Sequence, residues 1–440
     1  MFSKGDFMKN KLRFLLDKKA QGDFVSIPSF CTANNLAIKA VLQYAKKNSK
    51  IALIEATANQ VNQDGGYTGM RPKDFADFVT SIAKEINFPL DNLILGGDHL
   101  GPLVWADLPE DQAMANAEIL VREFIEAGFT KIHLDTSMRL GSDDQDSMLS
   151  DETIASRGAR LMQVCKNSYD KIRETNPNAE KPVYIIGSEV PVPGGSREND
   201  EIVTVTSTSA LKATYAEYKN TFANHGLADC FDDIIGIVVQ PGVEFSDSDV
   251  HVYSRDKAKQ LSREIKGYNN IVLEGHSTDY QPRLALREMS EDGVGILKVG
   301  PALTFAIRAG LFALSNIENV LIPHNQRSSI IKVLDDCMQE NPDNWFNYYH
   351  GTEAEITIKK HYSYSDRVRY YMSEERVQLA VLKLFNNIDS IIKEIPGGLL
   401  HQYMPEQYFK VRDNKLEYTA EQLVLDWVVP FIEDYYLASD

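Results

Sequence analysis

An adjacent aspartate and histidine set among glycines, Gly96-Gly97-Asp98-His99-Leu100-Gly101-Pro102, is the densest reactive string in this 440-residue chain. Burying such a pair is costly unless both side chains are hydrogen-bonded or hold a metal. Glu189 and His276 stand at the ends of two later apolar runs. With His99 they offer nitrogen, carboxylate oxygen and nitrogen. That set suits a divalent transition ion (zinc, nickel, manganese or cobalt) with one position left open. His133 and Asp135 lie two residues apart on one run, so both face the same side. Asp135, nearer the run's end, is the better acid or base, and Asp98 is its rival. His133, one layer deeper, reads as structural. Glu55 ends another run and is a further candidate base, or an orienting partner. Glu55 and Asp135 have the alternative of capping the next helix or pairing with Lys298.

Lys298 is followed by Val299-Gly300-Pro301, a glycine-proline entry into a helix. Free amides and the positive helix end there make a seat for an anion. The lysine has the chemistry of a Schiff-base amine too, but the neighbouring Asp–His–Glu–His set favours a metal. Two loops rich in glycine, Gln60–Met70 and Val192–Asn199, each follow a run. Gly65, Gly66, Gly194 and Gly195 permit positive φ and close approach of backbone to a ligand. Gln240, ending the sixth run, is a candidate for orienting hydroxyls. Cys31 ends the first run and either lines the pocket or packs.

What must position these residues is a repeating scaffold. Eight apolar runs each end in a polar side chain: Phe24–Phe30, Ile51–Glu55, Leu93–Gly97, Lys131–Asp135, Val183–Glu189, Ile234–Gln240, Ile271–Gly275 and Val294–Val299. Between them, Asn35–Lys46, Pro72–Ile86, Ala113–Ala127, Thr153–Thr175, Ala210–His225 and Asp256–Lys266 carry apolar residues at helical spacing. This alternation predicts a (β/α)₈ TIM barrel, with chemistry where strands run into the βα loops. A doubly wound open sheet is the alternative, weakened by the absence of a GxGxxG turn. After about residue 320 the alternation stops, predicting a barrel over 1–320 and a helical C-terminal extension, 321–440, packed on it. Val377, Val381, Leu384, Ile388 and Ile391 form a helical stripe there, and Thr419 with Gln422 resembles a capping box. The aromatic residues crowding this stretch (Trp345, Phe346, Tyr348, Tyr349, Tyr362, Tyr364, Tyr370, Tyr371) read as core or packing surface rather than a stacking platform.

The formal net charge of −17 disfavours nucleic acid and anionic lipid as partners. No run approaches a membrane span, and Met1–Lys19 does not read as a secretory signal, so the cytoplasm is the expected location. Four scattered cysteines suggest reduced thiols.

With the motifs assembled, the chain resembles the D-tagatose-1,6-bisphosphate aldolase GatZ/KbaZ family, relatives of the class II aldolases. The likeness rests on Leu53-Ile54-Glu55-Ala56-Thr57, Gly65-Gly66-Tyr67-Thr68-Gly69-Met70, Leu95–Pro102, Lys131–Asp135, Gly187–Gly195, Val238–Phe245, His276–Gln281, Leu297–Phe305 and Tyr364–Tyr371. The resemblance implies an epimerase, a supporting subunit or, demoted by Gln240, a true aldolase. Some members are metal-dependent 4-epimerases of tagatose- and fructose-type ketohexoses, free, as 6-phosphates or as uronates. The family was named for a non-catalytic subunit that supports a class II aldolase partner. A kinase is disfavoured, because neither a P-loop nor a kinase glycine-rich loop is present. In class II aldolases histidine ligands end the sixth and seventh strands. Gln240 departs from that pattern, with Glu189 the natural replacement. The expected function is thus a ketohexose 4-epimerase acting by retro-aldol chemistry, as a homo-oligomer.

Overall fold

The computed structural model describes residues 10–190 and 203–439. Eight parallel strands close into a barrel: Ile27–Cys31, Ala52–Thr57, Leu93–Leu100, Lys131–Leu134, Val183–Ile186, Ile234–Val239, Val272–Gly275 and Val294–Val299. Each pairs with its sequence neighbours, and the eighth returns to the first, aligning Ser29 with Lys298. Each of the eight predicted runs overlaps one of these strands, the first three strands running on past their runs, and the TIM barrel is the fold observed. A short antiparallel pair, Glu244–Phe245 with Val250–His251, sits outside the barrel in the sixth connection.

Local chemistry starts the helices where the pattern placed them. Asn34 accepts the amides of Leu36 and Ala37 to open Asn35–Lys47. Ser150 and Ser207 cap Asp151–Thr175 and Thr208–Asn224 by accepting the amides of Thr153 and Ala210. Each such cap satisfies a donor the helix cannot. Arg283–Glu291, which was not predicted, and Pro301–Leu321, entered through the expected Gly300-Pro301 step, complete the ring.

Strand periodicity divides the barrel interior into storeys. The floor is apolar: Ile27, Leu53, Ile94, Val183, Ile185, Ile235, Val272 and Ile296 cluster with Leu12 and Leu15 of the N-terminal segment. Asn10 ties that segment down by donating to the carbonyls of Thr130 and Lys181 at 2.8 and 3.0 Å. Two residues further along the strands the interior turns polar, with Ser29, Glu55, Glu274 and Lys298 all buried.

Beyond the barrel, Glu375–Ser390 buries Val377, Val381, Leu384 and Ile388 as the stripe predicted. Trp345, Tyr349 and Tyr371 are core, whereas Phe346 and Tyr362 are exposed. The last helix, Ala420–Ser439, opens with Gln422 donating its amide to Thr419 Oγ1 at 3.3 Å. It packs on Pro301–Leu321, Arg283–Glu291, Asn35–Lys47 and the first strand. Tyr435 and Tyr436 lie against Phe30, with ring centroids 6.4 and 5.6 Å away. Their hydroxyls donate to the carbonyls of Thr278 and Ile51 at 2.6 and 2.8 Å. The final helix is therefore part of the wall that covers the first strand. Truncation after Thr419 bares that apolar face, and the shortened chain is expected in the insoluble fraction on expression; a soluble, cooperatively melting product would refute this packing role.

Candidate active site

Four strands deliver the polar storey. On the fourth, Lys131, His133 and Asp135 point inward by alternation; on the seventh, Glu274 and His276 do the same. The second supplies Glu55 and the third Asp98, aligned through the pairs Glu55–Gly96 and Thr57–Asp98. Glycine at position 96 is a steric requirement, because a Cβ there would stand 2.6 Å from Glu55 Cγ. Gly101 answers a second close approach, as its Cβ would fall 1.6 Å from the Asp135 carbonyl oxygen.

The charges form a ladder. Lys131 Nζ lies 3.0 Å from Glu55 and 2.8 Å from Glu274, all three fully buried. Lys298 Nζ lies 2.5 Å from Glu55 and 2.9 Å from Asp98. Above it, three imidazoles crowd together, with ring centroids 4.9 Å apart for His99–His276 and 5.2 Å for His133 with each of the others. Each ring has one nitrogen held by a carboxylate. Asp135 Oδ2 is 2.8 Å from His99 Nδ1, Asp98 Oδ1 is 3.0 Å from His133 Nδ1, and Glu274 Oε1 is 2.9 Å from His276 Nε2. His133 Nε2 is buried with no hydrogen-bond partner among the described residues.

These partners set the protonation states. Burial alone would raise the Asp98 carboxyl, but Lys298 and the imidazoles outweigh it and hold it well below the carboxylate range. Burial likewise opposes ionisation of Asp135, yet His99 and Ser137 keep it ionised. His276 is pushed down to about 4, chiefly by burial, and so is neutral. For His99, burial is overcome by Asp98 and Asp135, which draw positive charge to it. Lys298 is raised well above its usual value despite burial, by Asp98 and Glu55. It is an ammonium, which removes it as a Schiff-base amine.

The donor set fits a divalent cation on three counts. Four buried carboxylates (Asp98, Asp135, Glu55, Glu274) share only two ammoniums (Lys131, Lys298), and the rest of the charge falls to the imidazoles. Imidazoles that share one tetrahedral ion at about 2.0–2.1 Å place their centroids roughly 5 Å apart. A carboxylate on the far nitrogen of each ring is the usual arrangement for metal-binding histidine. The ligand atoms of Asp98, His133, Glu274 and His276 also lie within 4.8 Å of one another.

A cavity of about 300 Å³ opens above the cluster. Asp98, His99, His276 and Lys298 share its wall with Cys31, Asn59, Gln60, Tyr67, Asp279, Arg369 and Tyr370. The expected site residues divide accordingly. Asp98, His99, His276 and Lys298 are brought together here, with Glu55 and Asp135 just behind. Asp135 is fully engaged, since Oδ1 accepts the amide and hydroxyl of Ser137 at 3.1 and 2.7 Å. It orients His99.

Other expectations are corrected. Glu189 is exposed and accepts the Thr206 hydroxyl at 2.6 Å, outside the cluster. Its strand ends at Ile186, so the chain has already turned away before it. Gln240 Oε1 accepts the amides of Gly242 and Val243 at 2.8 and 2.9 Å, capping a turn and not lining the cavity. Gly65 and Gly66 serve backbone geometry, with φ of +102° and +56°; a Cβ at Gly66 would lie 2.3 Å from the Gln60 carbonyl oxygen. Their turn hangs Tyr67 and Thr68 over the cavity. Gly194 and Gly195 lie outside the described residues. The helix entry at Gly300 holds an anion from within the chain, because Asp279 Oδ1 accepts the amides of Gly300 and Ala302 at 3.0 and 2.8 Å.

The residues missed were Lys131, His133 and Glu274. Their signal was present as alternation with Asp135 and His276, one storey below the strand ends. Lys131→Met strands Glu55 and Glu274 in the interior and is expected to cost about 3–5 kcal/mol, measured by urea denaturation; a loss below about 1 kcal/mol would show that the ladder is not holding the barrel together.

A model of the family described as D-tagatose-1,6-bisphosphate aldolase subunit GatZ/KbaZ-like matches residues 12–440. Among solved structures, the chain is similar to a probable tagatose 6 phosphate kinase from Sinorhizobium meliloti 1021. The two are 42% identical with a TM-score of 0.84, over 94% of this chain and 100% of that one. The fructuronate-tagaturonate epimerase UxaE from Cohnella laeviribosi is 12% identical at a TM-score of 0.44, over 93% of this chain and 81% of that one. The YdjI aldolase from Escherichia coli K12 is 12% identical at 0.39, over 86% and 98% respectively. Those last two likenesses are too distant to bear on function. By the match along nearly its whole length, the chain belongs to the GatZ/KbaZ-like family of D-tagatose-1,6-bisphosphate aldolase subunits.

Proposed function

We propose that this protein is a divalent-metal-dependent ketohexose 4-epimerase that interconverts tagatose- and fructose-type sugars. The observation that carries the reading is the trio of carboxylate-held imidazoles, two of them, His99 and His276, on the wall of a cavity and His133 packed against both. His99, His133 and His276 would hold the ion, with Asp98 and Glu274 adjoining. Such a nitrogen-rich set suits zinc, nickel, cobalt or manganese. When bound, the cation would supply Lewis-acid stabilisation of negative charge developing on the ketose oxygens.

The hydrogen on C4 of a 2-ketose is not acidic, so inversion there by proton abstraction is expensive. Breaking C3–C4 avoids it. Asp98, ionised and on the cavity wall, accepts the C4 hydroxyl proton as that bond breaks, giving an enediolate and an aldehyde. After the aldehyde rotates, its other face is attacked, C3–C4 re-forms, and Asp98 returns the proton to the new C4 oxygen. Asp135 and Glu274 keep His99 and His276 in register, and Lys131 fixes Glu274 and Glu55 from below. Tyr67, Thr68 and Tyr370 overhang the cavity, limiting escape of the fragments.

The second reading is a subunit that supports a class II aldolase without doing chemistry itself. Against it stands the cost of keeping four carboxylates and two lysines buried, which docking alone does not require. Wild-type protein loaded with zinc, nickel, cobalt or manganese is expected to interconvert fructose and tagatose, or their 6-phosphates, and to lose this on chelation. No turnover with any ion, alongside restored activity of a partner aldolase, would establish the subunit reading.

His99→Ala, His133→Ala and His276→Ala are each expected to lose bound metal by elemental analysis, whereas Glu189→Gln and Gln240→Ala retain it. Asp135→Asn should weaken metal affinity by roughly 10- to 100-fold. Metal content that falls with Glu189→Gln but not His133→Ala would reverse the assignment. Asp98→Asn is expected to lower kcat by roughly 10²- to 10⁴-fold in folded protein, read by steady-state assay; wild-type rates would remove Asp98 from the chemistry.

A further inference from the structure

Two cations line the cavity among the described residues, Lys298 and Arg369. Lys298 is fully committed to Glu55 and Asp98. Arg369 is not. It comes from the turn Arg367–Tyr370, in the chain beyond the barrel. Its guanidinium donates to the carbonyls of Ser365 and Asp366 and, at 3.0 Å, to the Tyr370 hydroxyl. It also lies 4.5 Å from the Tyr370 ring centroid. No carboxylate pairs with it among the described residues.

Arg369 is half-buried, and the fully buried arginines show the contrast. Arg308 pairs with Asp366 at 2.8 Å, and Arg157 with Asp143 and Glu110 at 2.6 and 2.7 Å. Arg367 stacks on Tyr348, 3.2 Å from its centroid, and does not line the cavity. Arg369 is thus the guanidinium on the cavity wall whose partners are all neutral. Taking it out of water is costly without an opposing charge. Its planar donors match the oxygens of a phosphate or carboxylate. The nearby helix entry cannot serve instead, because Asp279 already occupies it. Tyr67 and Tyr370, with centroids 4.7 Å apart, frame the same part of the wall.

We propose that Arg369 is the seat for a terminal anionic group of the substrate, so that the cavity takes an anionic ketohexose, a 6-phosphate or a uronate, in preference to the neutral sugar. The sugar's identity rests on the epimerase reading; the anion seat rests on Arg369 itself. The test is calorimetric binding of fructose, fructose 6-phosphate and fructuronate to the full-length protein, with interconversion assayed in parallel.

Wild type is expected to bind one of the anions at least roughly tenfold tighter than fructose, and inorganic phosphate should compete with that anion. Arg369→Met should abolish the preference while leaving fructose affinity unchanged, and Arg369→Lys should restore part of it. Preference for the 6-phosphate or for fructuronate identifies which anion the seat takes. Equal affinity of wild type for all three, which needs no variant to fold, overturns the proposal, as does a preference that survives in Arg369→Met. Anion preference without interconversion would overturn the epimerase reading and leave the seat standing; interconversion with no anion preference would do the reverse.

Discussion

Everything at the mouth of this barrel depends on an imbalance of buried charge. Lys131 and Lys298 hold together Glu55, Glu274 and Asp98, while Asp135 faces only an imidazole. In a low-dielectric interior such a set persists only if each member is tied to an opposite charge or a donor. The lysines satisfy part of that demand, and the remainder makes the cluster receptive to positive charge. The rise in the affinity of His99 for a proton is one expression of it. A divalent cation would answer the same field more completely. The geometry of the three rings, each braced from behind by a carboxylate, is consistent with this.

The scaffold keeps the arrangement rigid. An apolar floor plugged by Leu12 and Leu15 seals the barrel beneath the ladder. Glu55 and Lys131 are therefore screened from solvent on the side away from the cavity. The roof is made by elements far apart in sequence: the turn carrying Tyr67 and the later turn carrying Arg369 and Tyr370. The barrel thus bears the buried charges, while both its own loops and the chain beyond its last helix contribute to the cavity wall.

The barrel was legible because its signal is repeated: each apolar run ends in a polar residue, and eight repetitions leave little room for another fold. Asp98, His99 and His276 were legible because they sit at strand ends. Lys131, His133 and Glu274 were hidden by the same logic. A charged residue inside a strand reads as structural until its neighbours across the barrel are known, and no local pattern says that Glu274 faces Lys131. Glu189 misled for the opposite reason: it follows its strand by three residues, beyond the point where the chain leaves the barrel axis. Gln240 and the pair Gly65-Gly66 were polar or flexible residues near a mouth, but turn geometry consumed them. Arg369 lay inside the family-like string Tyr364–Tyr371 but was not singled out there, since only the folded chain shows which arginine lacks a carboxylate.

The last helix has a consequence for how the chain comes into being. Phe30, on the first barrel strand, is covered by Tyr435 and Tyr436, far later in the sequence. Ser26 and Ser439 even share a hydrogen bond at 3.0 Å. During synthesis from the N-terminus, that strand must wait with its greasy flank uncovered until the helix Ala420–Ser439 has been made. A ribosome that stops short of that helix cannot release a closed seam, and the bared flank is something a quality-control system can recognise as unfinished.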